Sequence, residues 1–485
     1  MDYSQFLAMK QEICLLVVFL LVFLNDTFLP RRSQDSLGWI TCVLFALFTA
    51  FGFCPHVWNT SDAVFAGMYV STPAVATIKN ILNVGVLIVL IQSLKWANSE
   101  VQLVRRGEFY ELVLITLLGM YFMVSARHFL LFFIGLETAS LPLAALVAFD
   151  KHRYESTEAA VKYVLTAVFS SAIFLMGISL VYGISGSLYF SQIGVAVDIT
   201  SGTGLIALVI ALGFVMAGIG FKLSLVPFHL WTADVYQGAP TSVTSYLSVI
   251  SKGSAAFAFL VILWQVFGAV YPEAWGWMLY ALIILTITVG NLFAIRQKNL
   301  KRFLAFSSVS QAGYIMLGIM AYPHTIGIAS LMFYILVYIF SNLAAFGVIG
   351  AIENNTGKVW MQDYNGLYKT NPRLAFTMML AMFSLAGIPP FAGFFSKFFV
   401  FTSTLNGTDS AALYVLVLIA LINTIISLYY YLLVVKAMFI NDSEQPIATF
   451  RSACSERLGM WVCVAGIIGL GIVSYFYDYL LTVVG

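Results

Sequence analysis

A few ionisable residues stand where charge is least expected. Lys252 lies twelve residues into an apolar run, and Glu137 is the tenth residue of another. Lys222 and Lys397 adjoin proline-containing interruptions in two further runs, and Lys162 sits a turn or two inside a fifth. At the helical rise, Lys252 would be roughly 17 Å and Glu137 roughly 14 Å from a helix end. An ionised group at the centre of a bilayer costs at least about 2.5–3.5 kcal/mol, so a chain that keeps several either pairs them or uses them. Pairing is short of partners here, because the one acid that reads as deep, Glu137, faces three or four lysines. Amines and carboxyls hold and release protons, so the chemistry on offer is a proton relay.

The prolines support that reading. Proline lacks an N–H and displaces the carbonyl four residues earlier. Pro142 thus frees the carbonyl of Thr138, beside Glu137, and Pro227 frees that of Leu223, beside Lys222. Each supplies unpaired oxygen, and room for water, next to a titratable group. His229, in Pro227-Phe-His-Leu-Trp231, can join a water chain or serve as an ordinary hydrogen-bonded interior residue. His56, His128, His152 and His324 fall in loops or at run ends and are expected to be solvated. Lys10, Lys79 and Arg127 are near run ends, where long side chains reach back to water.

The elements that must hold these groups are membrane helices. Hydrophobic residues make up 61% of the chain and charged ones 9%, against roughly 25% charged in soluble domains. Mean hydropathy is +0.93. A soluble enzyme, a nucleic-acid binder and a secreted disulfide scaffold are excluded, and a net charge of +2 implies no polyanionic partner. The five cysteines form no CxxC, and only Cys54 has a nearby histidine (His56), too few ligands for a site, so neither zinc nor an iron–sulfur cluster is expected. No GxxxxGK[ST] or GxGxxG loop is present for a nucleotide.

A helix needs about 20 apolar residues to cross the hydrocarbon core. Fourteen runs qualify as spans 1 to 14: 3–29, 37–54, 73–94, 110–126, 128–148, 158–183, 204–232, 240–268, 276–295, 302–321, 326–350, 373–403, 411–440 and 458–482. The fold class is therefore an all-α polytopic membrane protein. The basic residues test the count. Seventeen of the 24, including Arg31, Arg32, Lys151, Arg153, Lys301, Arg302, Arg373, Arg451 and Arg457, fall on one side of this scheme, while the opposite loops 55–72, 184–203, 269–275, 322–325 and 404–410 hold none. By the positive-inside rule that side is cytoplasmic and both termini face outward. Tryptophans such as Trp39, Trp58, Trp96, Trp275 and Trp277 sit at run ends, as interfacial anchors do.

Spans 7 and 12 are about 30 residues long, or roughly 45 Å if straight, against a core of about 30 Å. Each has an interior break, Leu225-Val-Pro-Phe228 and Ile388-Pro-Pro-Phe391. Spans 6 and 11 are also weakly alike, Phe169-Ser-Ser171 to Gly177 matching Ile339-Phe-Ser341 to Gly347. The matching elements lie five spans apart. An odd offset makes the copies cross in opposite directions, the inverted-repeat signature of transporters, whose path runs beside the broken helices. The expected division is 1–105 (spans 1–3), 106–270 (first repeat, spans 4–8), 271–440 (inverted second repeat, spans 9–13) and 441–485 (span 14).

The stretch from Gly220 through Lys222, Pro227, His229 and Asp234-Val-Tyr-Gln-Gly-Ala-Pro240 to Thr241 resembles the signature of the antiporter-like membrane subunits of respiratory complex I. Gly135-Leu-Glu-Thr-Ala-Ser-Leu-Pro142, Ala160-Val-Lys-Tyr163, Ser251-Lys252, Asn299 to Tyr314 and Ser384 to Lys397 carry the resemblance from about residue 108 to 440. It implies a proton-translocating membrane subunit of a bacterial NADH:quinone oxidoreductase, in the inner membrane, with NADH, flavin, iron–sulfur clusters and quinone held by partner subunits and sister antiporter-like subunits beside it. By the same resemblance, Glu137 and Lys222 form the coupling pair of one half-channel, Lys162 modulates them, Lys252 is the central relay and Lys397 serves the second half-channel. Two residues depart from the family pattern: Ala233 replaces a proline, and Gln311 stands where a titratable histidine is common, so a relay there needs water or a hydrogen bond alone. The alternative is a subunit of a stand-alone multisubunit cation/proton antiporter, against which the Tyr236-Gln-Gly238 form argues. A purely structural membrane subunit gives no reason for the deep charges.

Overall fold

The structure, a computed structural model, describes residues 4–28, 36–54, 62–99, 102, 105–198, 202–268, 275–321, 324–406, 410–473 and 475–485. Arg31, Arg32, His56 and Trp58 lie outside the described residues, and of His324 only the backbone is described. Apart from one hairpin, in which Asp62–Val64 pairs antiparallel with Tyr69–Ser71, the elements are helices. Twelve helices are long and apolar enough to cross a membrane, and Leu37–Gly52 and Pro372–Ala386 are shorter apolar ones. Helix occupies every one of the fourteen runs.

Spans 7 and 12 are each two helices. Thr203–Leu223 stops at Ser224, whose φ of 61° turns the chain so that the Leu225 N–H reaches the Gly220 carbonyl at 2.8 Å, and Leu230–Gly238 follows. Pro372–Ala386 stops at Gly387, φ 88°, a left-handed position that favours glycine, and Ala392–Leu405 follows. Each break contains a cis X-Pro bond, Val226-Pro227 and Pro389-Pro390. Span 8 is also irregular, with a π turn at Leu247–Ser251 leading into Lys252–Val266. Span 14 divides as Cys454–Ile472 and Tyr475–Val484.

Span 8, Leu300–Met320 and His324–Thr356 are buried nearly all round, whereas Lys10–Phe28, Tyr154–Ser185 and Ala411–Phe439 keep most of their apolar surface outward. Helices hydrophobic on every face form the interior of such a bundle. Spans 4 and 5, Arg106–Ser125 and Phe129–Val147, approach so closely that a Cβ on Gly119 would lie 2.4 Å from the Ala139 nitrogen. Small residues at a crossing permit that contact in a membrane, and it fixes the helix that carries Glu137.

Tertiary packing overturns several local expectations. Lys79 does not reach for water: it is fully buried, with its Nζ 2.6 Å from Glu12 Oε1. Tyr69 OH donates to Glu12 Oε2 at 2.8 Å and accepts from Lys79 at 3.3 Å. A carboxylate brought by the Lys10–Phe28 helix replaces solvent. Glu137 is accordingly not the sole acid withdrawn from water, and it is itself only half-buried while Glu12 is buried. The helix at span 10, Leu300–Met320, begins two residues before the expected 302, and Lys301 in its first turn is buried, donating to the Ala239 carbonyl at 2.8 Å. His128 is buried against Tyr189, its Nδ1 accepting from the Leu130 N–H. Trp275, the first residue of Trp275–Ile295, is fully buried beside Trp264.

Candidate functional site

The two breaks and the π turn bring the singled-out lysines into the interior. Lys222 occupies the last turn before the first break, and its Nζ donates to Ser140 Oγ at 2.7 Å and to Tyr163 OH at 3.3 Å. Ser140 lies one helical turn beyond Glu137 and donates its own hydroxyl to the Leu136 carbonyl at 2.5 Å. Glu137 Oε1 accepts from Ser171 Oγ at 2.5 Å. The expected pair, Glu137 and Lys222, is thus brought to one region without an ion pair within 4.0 Å. Neutral hydroxyls from two helices, Phe129–Val147 and Tyr154–Ser185, hold the two charges separately.

Lys162 faces away from this cluster, although its neighbour Tyr163 belongs to it. Its half-exposed ammonium pairs with Glu158 at 2.8 Å and with Asp234 at 2.7 Å, and Asp234 also receives Arg302 at 2.5 Å. Asp234 and Arg302 are 68 residues apart, and no local signal in the sequence joins them. A second charge cluster, missed for the same reason, places Glu353 3.7 Å from the buried Lys301 and 3.3 Å from the exposed Arg153, with Thr241 Oγ1 donating to the carboxylate.

Lys252 follows the π turn. Its Nζ donates to Ser308 Oγ at 2.7 Å and to the Ser308 carbonyl at 3.2 Å, and lies 5.6 Å from the Tyr236 ring centroid. Single π turns interrupt helices frequently at functional positions. No carboxylate pairs with this ammonium among the described residues.

Lys397 is held by the second break itself. Its Nζ donates to the carbonyls of Leu385 and Ala386 at 3.1 and 3.0 Å, and sits 4.9 Å from the Tyr314 ring centroid. These carbonyls end the Pro372–Ala386 helix, where unpaired oxygens and the negative end of the helix dipole favour a cation. Gln311 donates to the same Leu385 carbonyl at 3.2 Å and to Tyr431 OH at 3.2 Å, while Tyr334 OH donates to Gln311 Oε1. Tyr431 OH lies 2.6 Å from Ser307 Oγ, next in sequence to the Ser308 that holds Lys252. A nearly continuous polar line therefore connects Lys252 with Lys397, and Gln311 is its middle.

Between Lys222 and Lys252 the groups are polar but unsatisfied. His229 is buried and stacked on Phe293, and neither ring nitrogen makes a hydrogen bond of good geometry. The hydroxyls of Thr232 and Ser251 likewise lack a partner among the described residues. Buried polar groups in proteins are completed by ordered water where protein partners are missing, so this stretch suits a short water chain.

Comparison with known proteins bears on what such a molecule is. Residues 126–427 match the family described as NADH:quinone oxidoreductase/Mrp antiporter, TM. NADH-quinone oxidoreductase subunit N of Phocaeicola vulgatus is 55% identical over 99% of both chains. A chain of respiratory complex I from Thermus thermophilus has 31% identity and a TM-score of 0.79, covering 96% of this chain and 97% of that one. A chain of the Mrp complex from Dietzia sp. reaches a TM-score of 0.84 at 21% identity, over 99% and 97%, and shows a shared fold alone.

Proposed function

The chain belongs to the NADH:quinone oxidoreductase/Mrp antiporter family of transmembrane proteins, in its NADH-quinone oxidoreductase subunit N group, and from that premise we propose that Glu137, Lys222, Lys252 and Lys397 are its proton relay. In this reading the chain is a proton-translocating, multi-pass subunit of a bacterial inner-membrane complex. Partner subunits oxidise NADH and reduce quinone with their own flavin and iron–sulfur clusters. The first repeat, 106–270, supplies the path from Glu137 and Lys222 to Lys252, and the inverted second repeat, 271–440, the path onward to Lys397. Lys162 tunes the first path through Asp234 and Tyr163, and His229 belongs to its water chain.

The observation that supports this most is the way Lys222, Lys252 and Lys397 are held. Each ammonium rests on hydroxyls or backbone carbonyls rather than on a carboxylate. Such shells accept a neutral amine as well as a charged one, which an ion pair does not. The Coulomb attraction of a bound carboxylate would fix the proton in place.

Lys252→Ala in the intact complex tests it. Proton pumping and coupled quinone reduction are expected to fall severely while the complex assembles, because removing a buried charge relieves its desolvation. A variant complex that fails to assemble would mark Lys252 as a structural group and overturn the relay.

A further inference from the structure

We propose that the cleft between the Pro372–Ala386 and Cys454–Ile472 helices is a binding site for one anionic phospholipid. The cleft has a volume of about 570 Å³, and Arg373, Arg451 and Arg457 line one end of it. No acidic residue lines it. Among the described residues none of the three guanidinium groups has an ion pair or a side-chain hydrogen bond, and the Nε of Arg457 is buried without a partner. The nearest carboxylate on the same helix, Glu456, is occupied elsewhere: it accepts from the Ala453 N–H at 2.9 Å and from Asn354 Nδ2 at 3.2 Å.

Three uncompensated cations around one cleft call for an anion, and the walls say which kind. Phe376 and Leu380 follow Arg373 on the face of one helix at three and seven residues, and Trp461 and Val464 follow Arg457 on the other at four and seven. Each helix thus carries a charge at its end and an apolar wall running roughly 10 Å into the bundle from it. Phe376 and Trp461 leave 46% and 68% of their surface uncovered. A free phosphate has no use for such a wall, whereas a phospholipid has its phosphate at the arginines and an acyl chain along the aromatics. The arginines fall on the basic side of the chain, and clusters of this kind at the cytoplasmic surface attract anionic headgroups. This site is independent of the proton relay.

Photolabelling of the intact complex in mild detergent with a photoactivatable phosphatidylglycerol tests the proposal. Label is expected on peptides carrying Phe376 or Trp461, displaced by phosphatidylglycerol but not by phosphatidylcholine or inorganic phosphate. Replacing all three residues (Arg373→Gln, Arg451→Gln and Arg457→Gln) should lower it by roughly a hundredfold, at about 1 kcal/mol for each arginine. Arg451→Gln alone, at an exposed position, should lower it severalfold in a complex that assembles normally. Unchanged labelling in both variants would overturn the proposal. So would equal displacement by phosphatidylcholine, displacement by inorganic phosphate, or crosslinking of this face to another subunit.

Discussion

At the scale of single residues, the position of Ser140 changes how Glu137 and Lys222 are understood. Lys222 donates to Ser140 and Tyr163, and Glu137 accepts from Ser171, so the two charges are held on separate hydroxyls and do not touch. In the proposed relay, a rearrangement that brings them together or draws them apart would move a proton without breaking an ion pair first. The magnitudes allow it: moving one charge against 100 mV takes about 2.3 kcal/mol, close to the roughly 2.7 kcal/mol in a change of two pKa units. Glu137→Gln, which keeps the shape and removes the charge, should therefore impair coupled proton pumping about as severely as Lys222→Ala. The double variant should be little worse than either, since both disable one unit. Losses that multiply in that cycle, measured in the intact complex, would show two independent residues.

At the scale of elements, the two breaks do different work. The first ends the Thr203–Leu223 helix so that its last turn carries Lys222. The second turns its own carbonyls, Leu385 and Ala386, onto the Lys397 that lies on the returning half-helix. That return depends on Gly393, where a Cβ would stand 1.7 Å from the Ser384 carbonyl oxygen. Backbone cannot yield as a flexible side chain does, so Gly393→Ala should force the halves of span 12 apart. Overpacking typically costs about 1–3 kcal/mol, and here the displaced segment also holds Lys397. The expected outcome is a lower thermal midpoint of the complex together with lost pumping. An unchanged midpoint would mean that the second half-helix is free to shift. The breaks themselves are legible from Leu225-Val-Pro-Phe228 and Ile388-Pro-Pro-Phe391, because proline chemistry is local. The π turn before Lys252 is not, since nothing in Leu247-Ser-Val-Ile-Ser251 differs in type from an ordinary helical segment.

At the scale of the whole molecule, the peripheral helices keep much of their apolar surface outward, and the described residues include no group of three or more His, Cys, Asp or Glu that could hold a metal. In the proposed function, pumping coupled to NADH oxidation is shared between this chain and partner subunits. Purification in mild detergent should recover this chain with NADH dehydrogenase activity in one large assembly. Sodium-dependent exchange from a preparation lacking that activity would favour the antiporter reading instead.

What the sequence determined by itself is whatever depends on composition and near neighbours. Membrane spans, the broken helices, and the unusual placement of Lys222, Lys252 and Lys397 all follow from runs of apolar residues and the cost of charge within them. What only the tertiary structure decided is who stands opposite whom. Lys79 reads as a residue near a span end until Glu12, 67 positions away, is packed against it. Asp234 is only a motif residue along the chain until Lys162 and Arg302 converge on it from two other helices. Gln311 reads as the loss of a titratable group until its amide is seen bridging the carbonyl shell of Lys397 to Tyr431. Burial is a property of one segment and can be read along the chain, whereas compensation of charge is a property of pairs, and the fold alone assembles them.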